Sequence, residues 1–228
     1  MKLLNHRNLL RAFDVFEWAQ RDSLALIDES HEEWKLWKAV SMRRISLREV
    51  MIGVIDGLHY LHRDRHFVHG SLSMECIYVK EGRPVIGGLF AVLSPTLETS
   101  PVYTAPEVYE DVLCYDSDIF SAGVIFLEIA IGRRVSPEEV PTLQQLAQQV
   151  IDEHLRTIIL SMINTDPSCR LTTAKLIELL ESNTANTLTS NSTAVDILFD
   201  RTEQFWHHKC SADKIEQGYR QFRSAIEM

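Results

Sequence analysis

The residues whose types could support chemistry are concentrated in one short segment, Val68–Cys76, with the sequence VHGSLSMEC. It contains an imidazole, His69, two hydroxyls, Ser71 and Ser73, and a thiol, Cys76. A serine hydroxyl is not a useful general base near neutral pH unless another group activates it. A neutral cysteine is a poor ligand for magnesium, which prefers oxygen. Apart from the single carboxylate of Glu75, this polar loop contains no strong base or magnesium ligand.

A second group of potential metal ligands lies near the C-terminus, where His207, His208 and Cys210 are close in sequence. No second Cys/His group accompanies them, so an ordinary helix surface is favoured over a metal cluster. The remaining cysteines are widely spaced and form no C-x-x-C pair: Cys76, Cys114 and Cys169. This usage fits free thiols in a reducing compartment, and we expect a cytoplasmic protein.

The element that must position the polar loop is an apolar helix predicted within residues 115–134. Between residues 119 and 131 only Ser121 and Glu128 are strongly polar, so the segment is apolar on every face, which is typical of a buried helix. About thirteen apolar residues are too few for a membrane span, which needs about 20. We therefore predict a central buried helix in a globular domain and no membrane span.

The ends of this helix carry their own signals. Asp116, Ser117 and Asp118 are predicted to supply N-cap oxygens and negative charge at its start. Gly132, followed by Arg133, predicts a C-terminal stop.

The rest of the chain shows shorter patterns. In chain order these predict a strand pair at 13–16 and 24–27, a short helix over 31–40, a longer helix over 47–64, a hairpin at 77–90 and amphipathic helices at 142–153, 154–163 and 172–181. Ser46 and Glu49 form a capping box before the longer helix. Gly82 fits the positive-φ position of the hairpin turn. Trp34 and Trp37 are expected to turn towards the core.

Composition narrows the classes of partner. The 228 residues are 45% hydrophobic and can bury a sizeable core. The net charge is −9 with acids and bases interspersed, so nucleic-acid binding is disfavoured. Residues 182–193 are mostly Ser, Thr and Asn and predict a linker. Residues 194–228 predict a helical tail, with Phe205 and Trp206 as candidates for a docking surface.

Six short motifs resemble, in order and spacing, the C-terminal lobe of the eukaryotic protein kinase fold. They are YLH at 60–62, VHGSLSMECIYV at 68–79, GGL at 87–89, APE at 105–107, DIFSAGVIFLE at 118–128 and DPSCRLT at 166–172. The resemblance covers about residues 5–181. It implies a mainly α (α+β) fold: remnant N-lobe strands and hinge over 1–27, then a helical C-lobe with a short β-hairpin over 28–181.

The scaffold residues of that family are kept. Glu107 and Arg170 match the APE glutamate and the DPxxR arginine, which form an ion pair in the family. Asp118 matches the aspartate that holds the backbone of the catalytic loop. The resemblance therefore assigns structural roles to Glu107, Asp118 and Arg170.

The chemical residues of the family are not kept. Protein kinases use a catalytic aspartate, two metal-binding side chains and a lysine. On the matched motifs His69 keeps the histidine, while Ser71 replaces the catalytic aspartate, Ser73 the lysine, Cys76 the metal-binding asparagine and Gly88 the metal-binding aspartate. The resemblance therefore implies a degenerate site with no catalytic, cofactor-binding or metal residues, and we expect neither ATP nor magnesium to bind.

Two further departures affect the nucleotide site. The family's Gly-rich loop, strand lysine and helix glutamate would precede residues 6–17, which resemble the fourth strand, so this chain is expected to lack them. Tyr78 stands where the family usually has the leucine beneath the adenine, and its larger ring is expected to fill that space.

A hydroxyl-rich loop occupies the place of an activation segment. Its members are Ser94, Thr96, Thr99, Ser100, Tyr103 and Thr104, and Ser94-Pro95 resembles a proline-directed phosphosite. Gly70 replaces the arginine that would bind a phosphate, so a solvated linker is the favoured interpretation.

Three hypotheses for function remain. The first is a catalytically inactive kinase-like domain, a pseudokinase, that acts as a scaffold or regulator through other proteins, including active kinases. The second is a divergent Ser/Thr kinase whose missing N-lobe is supplied by another segment or chain. The third is a marginally stable piece of a longer gene product.

Overall fold

The computed structural model describes residues 5–10, 12–18, 23–28, 35–42, 44–89 and 100–182. Helices dominate this part of the chain, and two antiparallel two-stranded sheets accompany them, which confirms the mainly α fold class. No helix in these ranges has both the length and the apolar character needed to cross a bilayer. The predicted linker and tail lie outside the described residues, apart from Ser182 at the end of the last helix.

The strands and helices are distributed along the whole described part of the chain. In chain order they are β1 (Ala12–Trp18), β2 (Ser23–Asp28), α1 (Leu36–Ser41), α2 (Leu47–His59), β3 (Ile77–Lys80), β4 (Arg83–Ile86), α3 (Tyr115–Ile131), α4 (Leu143–Leu146), α5 (Glu153–Met162) and α6 (Thr173–Ser182). One π-helical turn, Tyr60–Asp64, extends α2. A short 3₁₀ helix, Pro106–Glu110, precedes α3.

Both predicted strand pairs are confirmed. β1 and β2 pair antiparallel, from Ala12 opposite Asp28 to Trp18 opposite Ser23. β3 and β4 form a tight hairpin whose turn residue Gly82 has φ +75°, the conformation that a two-residue hairpin turn requires. The chain before β1 is bonded to this hairpin, because the Leu10 N–H donates to the carbonyl oxygen of Ile86 in β4 at 2.7 Å.

The central buried helix is confirmed as α3. Every residue from Ser117 to Ile129 is buried, and α2 and α5 pack against it. The approach of α5 is close, since a Cβ on Gly123 would lie 2.8 Å from Met162 Cβ. α3 is therefore enclosed by other helices, as its all-round apolar sequence predicts.

The capping box of α2 is also confirmed. Ser46 Oγ accepts a hydrogen bond from the Glu49 N–H at 3.3 Å, and Glu49 Oε2 accepts one from the Ser46 N–H at 2.7 Å. α2 consequently begins at Leu47, directly ahead of its buried face.

The prediction for the start of α3 is confirmed for the negative charge of its first turn and is corrected for the N-cap residue. Cys114 occupies the N-cap position, whereas Asp116, Ser117 and Asp118 lie inside the first turn. Ser117 Oγ accepts from the N-cap Cys114 N–H at 3.2 Å and also donates to Glu107, whereas the buried carboxylate of Asp118 bonds to the distant loop.

Two other predictions need correction. Residues 142–153 do not form one helix: α4 is a single turn, Val150 is extended, and Asp152 starts α5 by accepting from the Leu155 N–H at 3.0 Å. Trp37 is 40% exposed while its neighbour Leu36 is fully buried. Adjacent residues on a helix point about 100° apart, and in α1 Leu36 takes the inward direction. Trp34 lies outside the described residues.

Candidate functional site

The loop that follows α2 is held by hydrogen bonds to Asp118 in the first turn of α3. Asp118 is completely buried, and its Oδ2 accepts from the His69 N–H at 2.8 Å while its Oδ1 accepts from the Gly70 N–H at 2.7 Å. The ring of His62 contacts the same carboxylate, with Nε2 2.8 Å from Oδ2. One buried carboxylate thus sets the backbone conformation at the start of the loop.

His69 is held as a neutral, structural side chain. Its Nε2 lies 2.9 Å from the carbonyl oxygen of Gly87, and its Nδ1 lies 3.4 Å from the Ser71 backbone N–H. Nε2 therefore carries the proton and Nδ1 accepts. Burial lowers the pKa of His69, in agreement with this neutral form. Both ring nitrogens are engaged with backbone, so His69 does not face a substrate.

The hydroxyl and thiol positions of the loop bond to one another. Ser73 Oγ lies 3.3 Å from Cys76 Sγ, and the thiol lies 3.5 Å from the Ser71 carbonyl oxygen. Burial raises the pKa of Cys76, so the thiol stays protonated. Ser71 Oγ is buried, and no hydrogen-bond partner for it occurs in the described part of the chain. These groups offer neither a base nor an anionic ligand.

Gly88 lies directly against this thiol. It has φ +71°, a conformation that side chains other than glycine rarely adopt, and a Cβ placed there would lie 2.8 Å from Cys76 Sγ. Two positions at which the resemblance expects metal ligands are thus packed against each other. A neutral thiol and a glycine do not fit a magnesium-bound nucleotide, because magnesium requires hard oxygen ligands. Within the ranges the structure describes, no three His, Cys, Asp or Glu side chains are grouped closely enough to hold a metal ion.

The ion pair implied by the resemblance is present in the geometry. Arg170 binds Glu107 through two parallel hydrogen bonds of 2.6 and 2.8 Å, and both side chains are buried. Ser117 Oγ donates to the same carboxylate at 2.8 Å, and Arg170 also donates to the Asp116 carbonyl oxygen at 2.8 Å. Burial alone would raise the pKa of Glu107, but these hydrogen bonds hold it below its usual range. The pair therefore joins the APE segment, the start of α3 and the segment before α6.

A second polar cluster was missed by the sequence reasoning. Glu128, buried in α3, accepts from Tyr103 Oη at 2.7 Å and from Arg134 Nη1 at 3.0 Å. Arg134 also donates to Glu75 of the polar loop. Burial raises the pKa of Glu128 despite the nearby guanidinium. A glutamate in an otherwise apolar helix needs a buried partner, and that rule was the available signal. The partners lie 25 and 6 residues away along the chain, so spacing could not identify them.

The cluster also corrects the interpretation of the hydroxyl-rich loop. Tyr103 is only 7% exposed, so the solvated-linker interpretation is wrong for this residue. Burial, followed by the charge of Glu128, raises the pKa of its phenol. Thr104 Oγ1 donates to the Ser100 carbonyl oxygen at 3.2 Å. Residues 94–99, including Ser94-Pro95, lie outside the described residues.

Between the loop and this segment lies a cavity of about 260 Å³. Its lining includes Ser71, Glu75, Cys76, Gly88, Tyr103 and Leu113. The wall is mostly small or neutral side chains.

The ring of Tyr78 packs over Gly87. A Cβ on Gly87 would lie 3.0 Å from Tyr78 Cε2 and 3.1 Å from Leu10 Cδ2. That this ring fills an adenine site stays a prediction. The potential ligands His207, His208 and Cys210, and the docking candidates Phe205 and Trp206, lie outside the described residues.

Comparison with known proteins agrees with this geometry. Residues 1–181 match the protein kinase domain family. The chain is 26% identical over 201 residues to the serine/threonine-protein kinase SIK1 of Mus musculus, which covers 77% of this chain and 25% of that protein. It is 27% identical over 204 residues to the serine/threonine-protein kinase GIN4 of Saccharomyces cerevisiae, covering 78% of this chain and 18% of that protein.

A third relative is the inactive serine/threonine-protein kinase PLK5 of Mus musculus, 29% identical over 188 residues, which covers 76% of this chain and 30% of that protein. The chain thus spans less than a third of the length of these three curated relatives. Because the family match covers most of the sequence and the matched motifs occupy the described geometry, the chain belongs to the protein kinase domain family.

Proposed function

We propose that this chain is a catalytically inactive kinase-like domain that works as a protein-interaction scaffold or regulator of signalling. The observation that carries the proposal is the packing of Cys76 against Gly88. Next to it, Asp118 still binds the backbone N–H groups of His69 and Gly70. The hydrogen bonds that support the loop are therefore present. The two positions that would bind metal, Cys76 and Gly88, carry no charge and are packed directly against each other. That one relative is named an inactive kinase supports the same proposal.

The proposal extends to organisation, partners and location. Residues 1–27 are the remnant strands and hinge, 28–181 the helical lobe, 182–193 a linker and 194–228 a tail. The partners are other proteins, with active kinases as the first class to test. A cytoplasmic location is supported by the free thiols of Cys76, Cys114 and Cys169.

The test is a thermal shift of the full chain with millimolar ATP, with and without magnesium. A ligand present at 100 times its Kd stabilises the folded state by about 2.7 kcal/mol, which raises the Tm of a domain of this size by about 5–11 °C. We expect no shift.

A second experiment is a phosphotransfer assay with a generic protein substrate, which compares wild type with the Ser71→Ala variant. Wild-type phosphotransfer that depends on magnesium and disappears in the variant would overturn the proposal. It would favour the divergent kinase whose N-lobe comes from another segment or chain.

A further inference from the structure

Four large apolar side chains are exposed within seven residues just before and at the start of α3. Tyr109 is 67% exposed, Val112 51%, Leu113 42% and Tyr115 39%. Large apolar side chains that cluster on a surface, in contrast to scattered ones, mark interaction sites. We call residues 109–115 the pre-α3 surface.

The charged residues within and directly after the pre-α3 surface are acidic, and the buried side chains of Arg170 and His62 contact Asp116 and Tyr115. Glu110 and Asp111 are exposed within it, and Asp116 follows it directly. No Lys, Arg or His occurs anywhere from residue 84 to residue 132. The surface therefore suits an occupant that is apolar at its centre and basic at its edges.

The same chain contains a segment with those properties, residues 214–226, beyond the described part. Its apolar residues Ile215, Tyr219, Phe222 and Ile226 recur at intervals of four, three and four, which predicts one apolar stripe on a helix. The stripe would run about 16 Å along the helix axis.

The charges of this segment complement those of the pre-α3 surface. Lys214, Arg220 and Arg223 are its basic residues, and Glu216 is its single acidic residue. A second copy of the same surface would instead bring like charges together, because a two-fold interface sets each patch against itself. Charge thus favours the segment over self-association through this face.

The length of the connecting chain permits the contact. Arg170, whose guanidinium touches Asp116, precedes α6 by three residues, so Ser182 at the end of α6 lies within about 35 Å of Asp116. The 31 residues between Ser182 and Lys214 can span this distance, because the predicted linker over 183–193 extends to about 36 Å and a helix over 194–213 adds about 30 Å. A tether whose length matches the span gives a high effective concentration.

We propose that residues 214–226 dock as an amphipathic helix on the pre-α3 surface of the same chain and cover it. Partner proteins that use this surface must then displace the segment, which makes it a built-in competitor. This inference does not depend on whether the domain is catalytically inactive.

The test uses the full chain and the Tyr219→Asp/Phe222→Asp variant, which removes the apolar stripe without touching the folded lobe. We expect backbone amides of residues 109–115 to exchange hydrogen at least threefold faster in the variant. Alkylation of Cys114, which lies within the surface, should also be at least threefold faster. Cys169 is exposed and lies outside residues 109–115, so its alkylation rate serves as the internal reference.

A charge exchange tests the specificity of the contact. Arg220→Glu/Arg223→Glu should expose the surface in the same way, and adding Glu110→Lys/Asp111→Asn should restore protection. Asn is chosen because residue 111 has φ +60°, which asparagine tolerates. Lys209→Glu, a basic residue outside the segment, is the matched control and should change nothing.

Two outcomes would overturn the proposal. If amide exchange and alkylation at the surface are the same in wild type and in the stripe variant, the segment does not cover it. If protection depends on protein concentration, the occupant is a second copy and not the tail of the same chain.

Discussion

Removing Arg170 while keeping the volume of its side chain tests the ion pair with Glu107. In Arg170→Met the Glu107 carboxylate stays buried and keeps the hydrogen bond from Ser117 but loses its cation. The Asp116 carbonyl oxygen also loses its guanidinium donor. Breaking a buried ion pair from one side costs about 3–5 kcal/mol, because an uncompensated charge remains. We expect the free energy of unfolding to fall by that amount.

The measurement is urea unfolding of the full chain, followed by circular dichroism. Glu107→Gln and the double variant Glu107→Gln/Arg170→Met complete a double-mutant cycle. The double variant should lose less than the sum of the two single variants, because it leaves no unpaired charge. A loss under 1 kcal/mol for Arg170→Met, the value of a surface salt bridge, would refute the structural role.

The same variants give a pH dependence with a defined sign. The pKa of Glu107 is lowered in the folded state, so its contribution is complete above the unfolded pKa of about 4.3 and is lost as pH falls through the folded pKa. The stability difference between wild type and Arg170→Met should therefore shrink as pH falls from 7 to 3. A difference that stays constant over this range would contradict the charge argument.

Three further predictions concern the loop and its supports. Gly88→Asp should destabilise the fold by about 1–3 kcal/mol by crowding Cys76, and adding Cys76→Ala should recover part of this loss in urea unfolding. Arg134→Met should lower the free energy of unfolding more at pH 8 than at pH 5. Burial raises the pKa of Glu128, so ionising this carboxylate without Arg134 destabilises the folded state. Urea unfolding at both pH values measures the difference. Asp118→Asn should cost about 1–3 kcal/mol and speed amide exchange in the loop, because an amide cannot accept at both oxygen positions.

The sequence predicted the elements that are determined by neighbouring residues, such as the buried helix α3 and the start of α2. The all-round apolar run of α3 allows only a buried helix, and Ser46 with Glu49 defines a helix start within four residues. The break in residues 142–153 was missed because their apolar spacing fits a helix, whereas the structure buries an extended Val150 between two short helices. Tertiary packing outweighs spacing there.

The polar cluster around Glu128 shows the limit of sequence reasoning at the site. Glu128 was identified as an exception in an apolar helix, but its partners Tyr103 and Arg134 come from separate segments. Arg134 in turn binds Glu75 of a third segment. The ion pair of Glu107 and Arg170 is separated by 63 residues and was found only through the family resemblance. Without such a template, contacts between distant segments have no periodic signal.

Ser71 tests whether the side chains of this loop contribute to stability as its backbone contacts do. The loop backbone is held by Asp118 through main-chain N–H groups, so side chains that follow can change without loss of that support. Ser71 Oγ is buried without a hydrogen-bond partner in the described residues, which costs free energy in the folded state. Ser71→Ala should therefore leave the free energy of unfolding unchanged or raise it by up to about 1 kcal/mol.

The matched control for Ser71→Ala is Ser117→Ala. It removes a hydroxyl of the same size, but one that donates to the buried Glu107 carboxylate at 2.8 Å. Urea unfolding should show a loss of about 1–3 kcal/mol for this control, since hydrogen bonds to charged groups are stronger than neutral ones. If Ser71→Ala destabilised the chain as much as Ser117→Ala, the hydroxyl at position 71 would have a partner that supports the fold.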